Sequence, residues 1–432
     1  MNAPSNLRSS TLPSLAVLLA ACGGLIQGFD TGGISNSAAA IALQFHVPEG
    51  AVGIITSLVL VGAMPGALFG GRVADAIGRR GALVACGAVF VLGVLIELFA
   101  SSLGILLTGR FVAGLAIGAS STVSTLYISE VSPPTQRGAN LALFQLAVVL
   151  GIVCGILTAM VAGPTGWHFI MGIGLMPGMI LLCGMAAMPE SPVWKRRGTS
   201  EKHDTHGLFA APGVQLALVA GVGMALIQQI TGINAVMYYA PGIFEKAGFT
   251  NPGESLWDDL SLAVLLCIVT FLASRMVDRF GRRALLLWGL GGMVVSLAVL
   301  GSAFAVSGSS MARWFILGGL LSYIAFFALG PGPCIWLVIA EIFPRNVRGP
   351  AMGVATLASW LANFLVSSTF PAFSLAVGEA NAFFVFCLIA GLSWLFTFGL
   401  LPETAGRTLD EIQAIWTERA TALFNQHTII KL

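Results

Sequence analysis

The chain has 432 residues, of which 56% are hydrophobic and 9% charged, with a formal net charge of +2. A soluble domain carries about 25% charged residues, so an ordinary water-soluble domain is excluded. A chain this poor in charge is dissolved in lipid, where charged groups are costly. The small net charge does not point to a nucleic-acid partner; the distribution of charge says more.

In chain order, residues 1–13 are polar with one basic residue, Arg8. The apolar segment behind them runs on into Asp30 without a clear cleavage site and reads as a first membrane span rather than a removed signal. Apolar stretches of about twenty residues, the length that crosses a bilayer, then recur. They cover 14–35, 51–73, 81–101, 104–127, 139–162, 167–188, 213–240, 260–277, 284–306, 313–340, 350–373 and 381–401. Such spans are too long for barrel strands, and a backbone in lipid must satisfy its own hydrogen bonds, so all twelve are read as helices. The seven cysteines lie in apolar stretches without metal-site spacing, so neither a disulfide nor a metal site is expected.

Placing the basic residues in loops puts eighteen on one side and two, Lys246 and Arg313, on the other, with Arg110 inside a span. This asymmetry predicts cytoplasmic termini. The sequence also repeats itself. Gly71-Arg72-Val-Ala-Asp75-Ala-Ile-Gly78-Arg79-Arg80 returns as Ser274-Arg275-Met-Val-Asp278-Arg-Phe-Gly281-Arg282-Arg283. Glu130 precedes Arg137 as Glu341 precedes Arg348, and Pro189-Glu190-Ser191 returns as Pro402-Glu403-Thr404. A parallel repeat of this kind predicts two six-helix bundles. We place them at 1–188 and 213–401, with a polar cytoplasmic linker at 189–212 and a tail at 402–432.

Within the seventh span lie Gln228, Gln229, Asn234 and Tyr238, with Tyr239 beside them. Amides both donate and accept, as sugar hydroxyls do. A straight helix aligns Asn234 with Tyr238 but points the two glutamines elsewhere. Gly232 between them and Pro241 beyond predict a broken helix facing a cavity. A lone glutamine in a membrane helix ordinarily serves an interhelical hydrogen bond, so these residues carry weight only as an ensemble.

The chain resembles the sugar porters of the major facilitator superfamily over nearly its whole length. The matching segments include GFDTG at 28–32, GGRVADAIGRR at 70–80, SEVSPPTQRG at 129–138, PESP at 189–192, QQITGINAVMYYAP at 228–241, GPGPCIW at 330–336, EIFPRNVRG at 341–349 and PETAGRTLDEI at 402–412. The resemblance implies an alternating-access transporter of a monosaccharide, a major facilitator fold, and no cofactor. It also implies sugar contacts at Gln145, Gln228, Gln229, Asn234, Tyr238, Trp336, Trp360 and Asn363; an indole stacks on a pyranose face and donates its N–H. The chain is expected to work as a monomer in a membrane, read as a bacterial inner membrane from its short loops and lack of glycosylation sequons.

The same resemblance suggests a cytoplasmic latch of Arg72, Asp75, Arg79, Arg80, Glu130, Arg137, Glu190, Asp278, Arg282, Arg283, Glu341, Arg348 and Glu403. Its guanidiniums are expected to fork onto Glu130, Glu190, Glu341 and Glu403, bringing both halves together when the site faces outward. Asp30 and Arg110 are read as a proton-coupling pair, because proton-coupled sugar porters carry Asp at this place and facilitative ones usually Asn. Burial favours the neutral form of an aspartate and a nearby guanidinium the charged form, so such a pair can titrate as its surroundings change.

Several positions depart from the family pattern: Gln27, Ser359, Ala328, Leu266 or Cys267, and His168. They leave the particular sugar open. Glu97, a second acid within a span, receives no role. Proton symport is weighed against facilitated diffusion, a non-transporting sugar sensor, and a membrane enzyme. The short tail disfavours the sensor, and the scattered His46, His168, His203, His206 and His427 disfavour an enzyme.

Overall fold

The computed structural model describes residues 11–48, 53–133, 136–163, 165–196, 211–237, 243, 255–306, 310–344 and 347–429. Six long helices make the first half: α1 (Thr11–Gln44), α2 (Gly53–Ile77), α3 (Arg79–Leu98), α4 (Leu103–Val131), α5 (Arg137–Ala162) and α6 (Trp167–Ala186). A short α7 (Pro192–Arg196) follows. The second half contains α8 (Pro212–Ile230), α9 (Ser255–Phe280), α10 (Arg282–Ala305), α11 (Ser310–Leu329), α12 (Pro331–Ile342), α13 (Arg348–Val377) and α14 (Glu379–Leu400), and α15 (Leu409–Ile429) closes the chain. Among the described residues, twelve spans are long and apolar enough to cross a membrane. The fold is all-α, in two bundles of six membrane helices.

Two spans are interrupted, each for a readable reason. The seventh stops at Ile230, turns through Thr231 and Gly232, and is helical again over 233–237, so the expected break is present. The carbonyl of Thr231, freed by the break, accepts the Tyr323 hydroxyl at 2.9 Å, as irregular backbone at membrane depth requires. The tenth span, expected to be one helix, is divided at Gly330 into α11 and α12. Pro331 and Pro333 bring no N–H to the ladder, which explains the division.

Apolar burial cannot drive one helix onto another in lipid, so close packing through small residues does. α1 lies on α5 with Gly24, Gly28 and Gly32 spaced one turn apart. A Cβ on these would run into the carbonyl oxygens of Phe144, Val148 and Ile152, respectively. Gly151 and Gly155 of α5 face back onto α1 in the same way. α2 and α4 repeat the arrangement with Gly62 and Gly66 against Gly114 and Gly118. Large apolar side chains such as Leu388, Leu392 and Leu395 are exposed along α14, as a lipid-facing surface demands.

The halves meet where α2 packs on α13 and α5 on α9. These contacts include the arginine-rich ends of the helices. Gly71 touches the backbone of Gly349, and a Cβ on Gly353 would come within 2.9 Å of the Leu68 carbonyl. The tail folds back on this face. α15 begins with a capping box: the Thr408 N–H donates to Glu411 at 2.7 Å and the Glu411 N–H to the Thr408 hydroxyl at 3.3 Å. The bond from the Thr408 N–H holds the Glu411 carboxyl below the usual carboxylate range. α15 buries Trp416 and ties Arg419 to the Leu400 carbonyl at 2.8 Å.

Gly28→Val is expected to lower the thermal unfolding temperature in detergent, since overpacking a tight contact costs about 1–3 kcal/mol. Gly391→Ala, where an added Cβ meets nothing within 4 Å, is expected to leave it unchanged.

Candidate functional site

A central cavity lies between the halves, walled by α1 and α5 on one side and by the broken α8, α12 and α13 on the other. It holds about 110 Å³ of room for water centres. A single water needs at least about 10–15 Å³ of such room, so the cavity takes several waters or a small polar solute. Gln145, Gln228, Gln229, Asn234, Trp336, Trp360 and Asn363 all wall it. Tyr238 lies outside the described residues.

The amides are wired to one another rather than left loose. Asn234 donates to Gln229, and Gln229 donates to the Ser359 hydroxyl at 3.0 Å and to Gln228 at 3.3 Å. Gln228 donates in turn to the Gly332 carbonyl at 3.1 Å, fastening the broken α8 to the start of α12. Trp336 meets Phe144 of α5 edge to face at 5.7 Å. Trp360 Nε1 is buried and has no hydrogen-bond partner among the described residues. A buried donor of this kind is costly unless a ligand or water answers it.

The cavity also has walls that the sequence reading did not place there. Gln27, Thr31 and Asn36 line it from α1, and Ser359 lines it from α13. Gln27 and Thr31 sit four apart on a helix, the spacing that shares one face, so the pattern was present in the chain. Gln27 also accepts from Ser121 of α4 at 3.2 Å.

Asp30 and Arg110 meet inside the first bundle. The guanidinium grips the carboxylate through both terminal nitrogens, Nη2 at 3.1 Å from Oδ2, while its Nε donates to the Ile55 carbonyl at 3.1 Å. Arg110 is fully buried, and the Asp30 side chain is 7% exposed. Asp30 borders a separate, much smaller cavity with Phe29, Phe90 and Met171. Glu97 of α3, which received no role above, lies 3.7 Å from Arg110 Nη1.

The charged face obeys the sequence repeat residue by residue. Gly78 and Gly281 cap α3 and α10 at φ +91° and +89°, a region where a side chain is strained. Glu190 accepts the backbone N–H groups of Arg79 and Arg80 at 2.9 and 3.1 Å. Glu403 accepts those of Arg282 and Arg283 at 2.9 and 3.0 Å. Each carboxylate therefore sits on the positive end of a helix. Arg79 forks onto Glu130 through Nε at 3.1 Å and Nη2 at 3.0 Å, and also pairs with Asp75 at 2.8 Å. Arg282 forks onto Glu341 at 3.2 and 3.0 Å and pairs with Asp278 at 2.9 Å. Ser191 and Thr404 donate to the same two glutamates. Arg80 and Arg283 donate to carbonyls at the ends of α6 and α14, and Arg348 donates to the Phe343 carbonyl at the end of α12. Arg137 is buried at the start of α5.

Three expectations need correction. The Arg79–Glu130 and Arg282–Glu341 forks close within their own halves, because each Glu ends the helix that packs beside its arginine. Glu190 and Glu403 bind backbone N–H groups, because a helix N-terminus offers oriented donors that a side chain must otherwise be ordered to provide. Arg72 is exposed, with its guanidinium 5.8 Å from the Phe69 ring centre, on the outward side of α2. Contacts between the halves include the Ala139 N–H of α5, which Asp278 of α9 accepts at 2.8 Å, and Asp75, which lies against Gly349 of α13.

A family model describing sugar (and other) transporters matches residues 16–203 and 195–416. The galactose-proton symporter of Escherichia coli is 32% identical, the match covering 91% of this chain and 92% of that one. The glucose facilitated diffusion protein of Zymomonas mobilis is 33% identical, covering 95% and 99%. The structure of the proton:xylose symporter XylE bound to 6-bromo-6-deoxy-D-glucose superposes with a TM-score of 0.85 at 28% identity, covering 94% and 99%. The chain belongs to the sugar porter family of the major facilitator superfamily.

It is therefore a multi-pass membrane transporter of sugars and not an enzyme. Against the inward-open form of E. coli XylE the TM-score is 0.71, with 27% identity and 93% and 99% of the chains covered. The contacts of α2 with α13 and of α5 with α9 hold the charged face closed.

Glu341→Gln is expected to loosen this closed face. It weakens one partner of Arg282, which is 2% exposed and also holds Asp278, the residue bonded to Ala139 of the other half; removing one partner of a buried pair outright costs about 3–5 kcal/mol. Spin labels at the start of α5 and the end of α9 are expected to move apart relative to the unsubstituted protein.

Proposed function

We propose that the transporter carries a monosaccharide by alternating access, in symport with a proton, and that its charged face is cytoplasmic. The observation that carries the coupling is the buried Asp30–Arg110 pair, one residue from a wall of the central cavity. Protonating Asp30 removes its charge and with it the strongest reason for Arg110 to hold α1 against α4. Gln27 is clipped to the same helix through Ser121. A change in the α1–α4 contact therefore reaches the cavity wall directly. That relationship is the kind of shared two-state element coupling needs.

The sugar is read as bound by the amide chain of Gln228, Gln229 and Asn234, by Gln145 and Asn363, and by the indoles of Trp336 and Trp360. The Trp360 Nε1 donor and the remaining amide valences are offered to hydroxyls. The partition of eighteen basic residues against two supports a cytoplasmic charged face and cytoplasmic termini. The asymmetry of the closed state supports the latch reading. The charged ends of the halves are held together by Asp278 and by the Gly71–Gly349 contact, and both must part for the site to open inward. The relatives include proton symporters and a facilitated diffusion protein, so facilitated diffusion through the same cavity is the competing reading.

Purified protein in liposomes decides between them. With an imposed inward pH gradient, the symporter accumulates sugar and a protonophore abolishes the accumulation. Asp30→Asn is expected to lose uphill uptake while keeping sugar exchange; full concentrative uptake by this variant refutes the coupling. In the same system, Trp360→Phe is expected to weaken sugar binding about fivefold to tenfold, the loss of about one hydrogen bond. Its thermal stability is expected to change far less than its sugar binding, since among the described residues the indole N–H has no partner to lose.

A further inference from the structure

Glu97 is the one buried acid of the first bundle that the transport scheme above leaves unused. It stands near the end of α3 with 1% of its surface exposed. Its Oε1 is 3.7 Å from Arg110 Nη1, and the same oxygen is buried with no hydrogen-bond partner among the described residues. The approach is made possible by the residue before the arginine. A Cβ on Gly109 would lie 2.6 Å from Glu97 Cγ, so a glycine there lets α3 and α4 close until the acid reaches the guanidinium. Arg110 thus has a carboxylate on either side, Asp30 from α1 in direct contact and Glu97 from α3 at slightly longer range.

Among the described residues, the other elements packed around Glu97 bring it no further charged side chain. α2 contributes the Ile55 carbonyl on Arg110 Nε. α6 contributes Met171 and Gly174 to the small cavity beside Asp30. Among the described residues, Arg110 and Asp30 are the charged groups that bear electrostatically on Glu97. Two carboxylates and one guanidinium in one buried site sum to zero when a single proton is shared between the acids.

We propose that Glu97 is the second acid of the proton site, taking over Arg110 when Asp30 becomes protonated. The proposal rests on the symport reading. Its physical basis is that a buried guanidinium stripped of its counter-charge is strongly unfavourable. If Asp30 were the only acid, each proton taken up would leave Arg110 in that condition. With Glu97 beside it, the guanidinium shifts its hold by a small displacement and remains paired. Proton uptake at Asp30 then moves α4 toward α3 and away from α1. Glu97 is a positioning residue in this scheme: the proton binds Asp30, and Glu97 fixes where Arg110 goes.

The test is the pH dependence of uphill uptake in proteoliposomes, using whichever of D-glucose, D-galactose and D-xylose the unsubstituted protein exchanges fastest. Glu97→Gln is expected to keep sugar counterflow within about twofold. Its pH of half-maximal uphill uptake is expected to fall by about one unit, since a neighbouring negative charge that eases protonation is gone. Glu97→Asp keeps the charge but is too short to make the same approach, and is expected to shift in the same direction by less. An unchanged profile in the Gln variant, with counterflow intact, overturns the proposal. If the Gln variant does not fold, an unchanged profile in the Asp variant overturns it. A wild type that accumulates no sugar at any pH overturns the symport reading and this proposal with it. An accumulating wild type beside an unshifted variant removes only the role of Glu97.

Discussion

Every polar group that this chain takes into hydrocarbon has to be answered by another group of the same chain, and most of the structure follows from that demand. The break in the seventh span is possible because Tyr323 meets the carbonyl of Thr231. The break in the tenth is held by Gln228, which donates to the first turn of α12. Arg110 is accepted because Asp30, Glu97 and the Ile55 carbonyl surround it. The exceptions are instructive. Among the described residues several buried polar atoms have no hydrogen-bond partner, Glu97 Oε1 and Trp360 Nε1 among them, and of these Trp360 lies on the wall of the cavity, where a hydroxyl-bearing solute would supply one.

The charged face shows the same demand solved twice by one repeated sequence. Each half turns at a glycine with positive φ, sets a glutamate on the helix end that follows, and forks an arginine onto a second glutamate. The copies differ where the halves touch. Ala139 of α5 gives an N–H to Asp278, but the matching position on α13 is Pro350, which has none to give. The two seams between the halves therefore differ at this position: at one Asp278 accepts the Ala139 N–H, and at the other Gly71 and Asp75 lie against Gly349.

Much of this was legible in the chain. Span number, the repeat and the sugar-porter motifs follow from local composition and fixed spacing, which a sequence states directly. The break at Gly232 was readable because a glycine and a later proline bracket residues that no straight helix could align. What stayed hidden depends on which side of a helix faces which neighbour. Glu97 and Arg110 sit on different helices, and no periodicity relates them until α3 and α4 are packed. Glu190 and Glu403 were recognised as important but given guanidinium partners, although Gly78 and Gly281 already marked the helix starts that they cover. Gln27 and Ser359 were noted as departures from the family pattern. Only the packed structure shows that both stand in the cavity wall.

The glycine seams between α1 and α5 and between α2 and α4 have a consequence for anyone wishing to retune the cargo. Backbones this close behave as welded beams, so the cavity face that α1 and α5 present is handed over as a single rigid tile. Its shape will not yield to gradual reshaping of the scaffold behind it, because any added atom there meets a carbonyl. The second half has one such seam too, Gly330 against the Leu285 carbonyl, but α8 meets its neighbours through side chains, Phe343 against Gly221 and Phe396 against Gly223. Redesign has its latitude on that side, around Ser359 and Leu266, while the first half serves as the fixed jig against which a new solute would be measured.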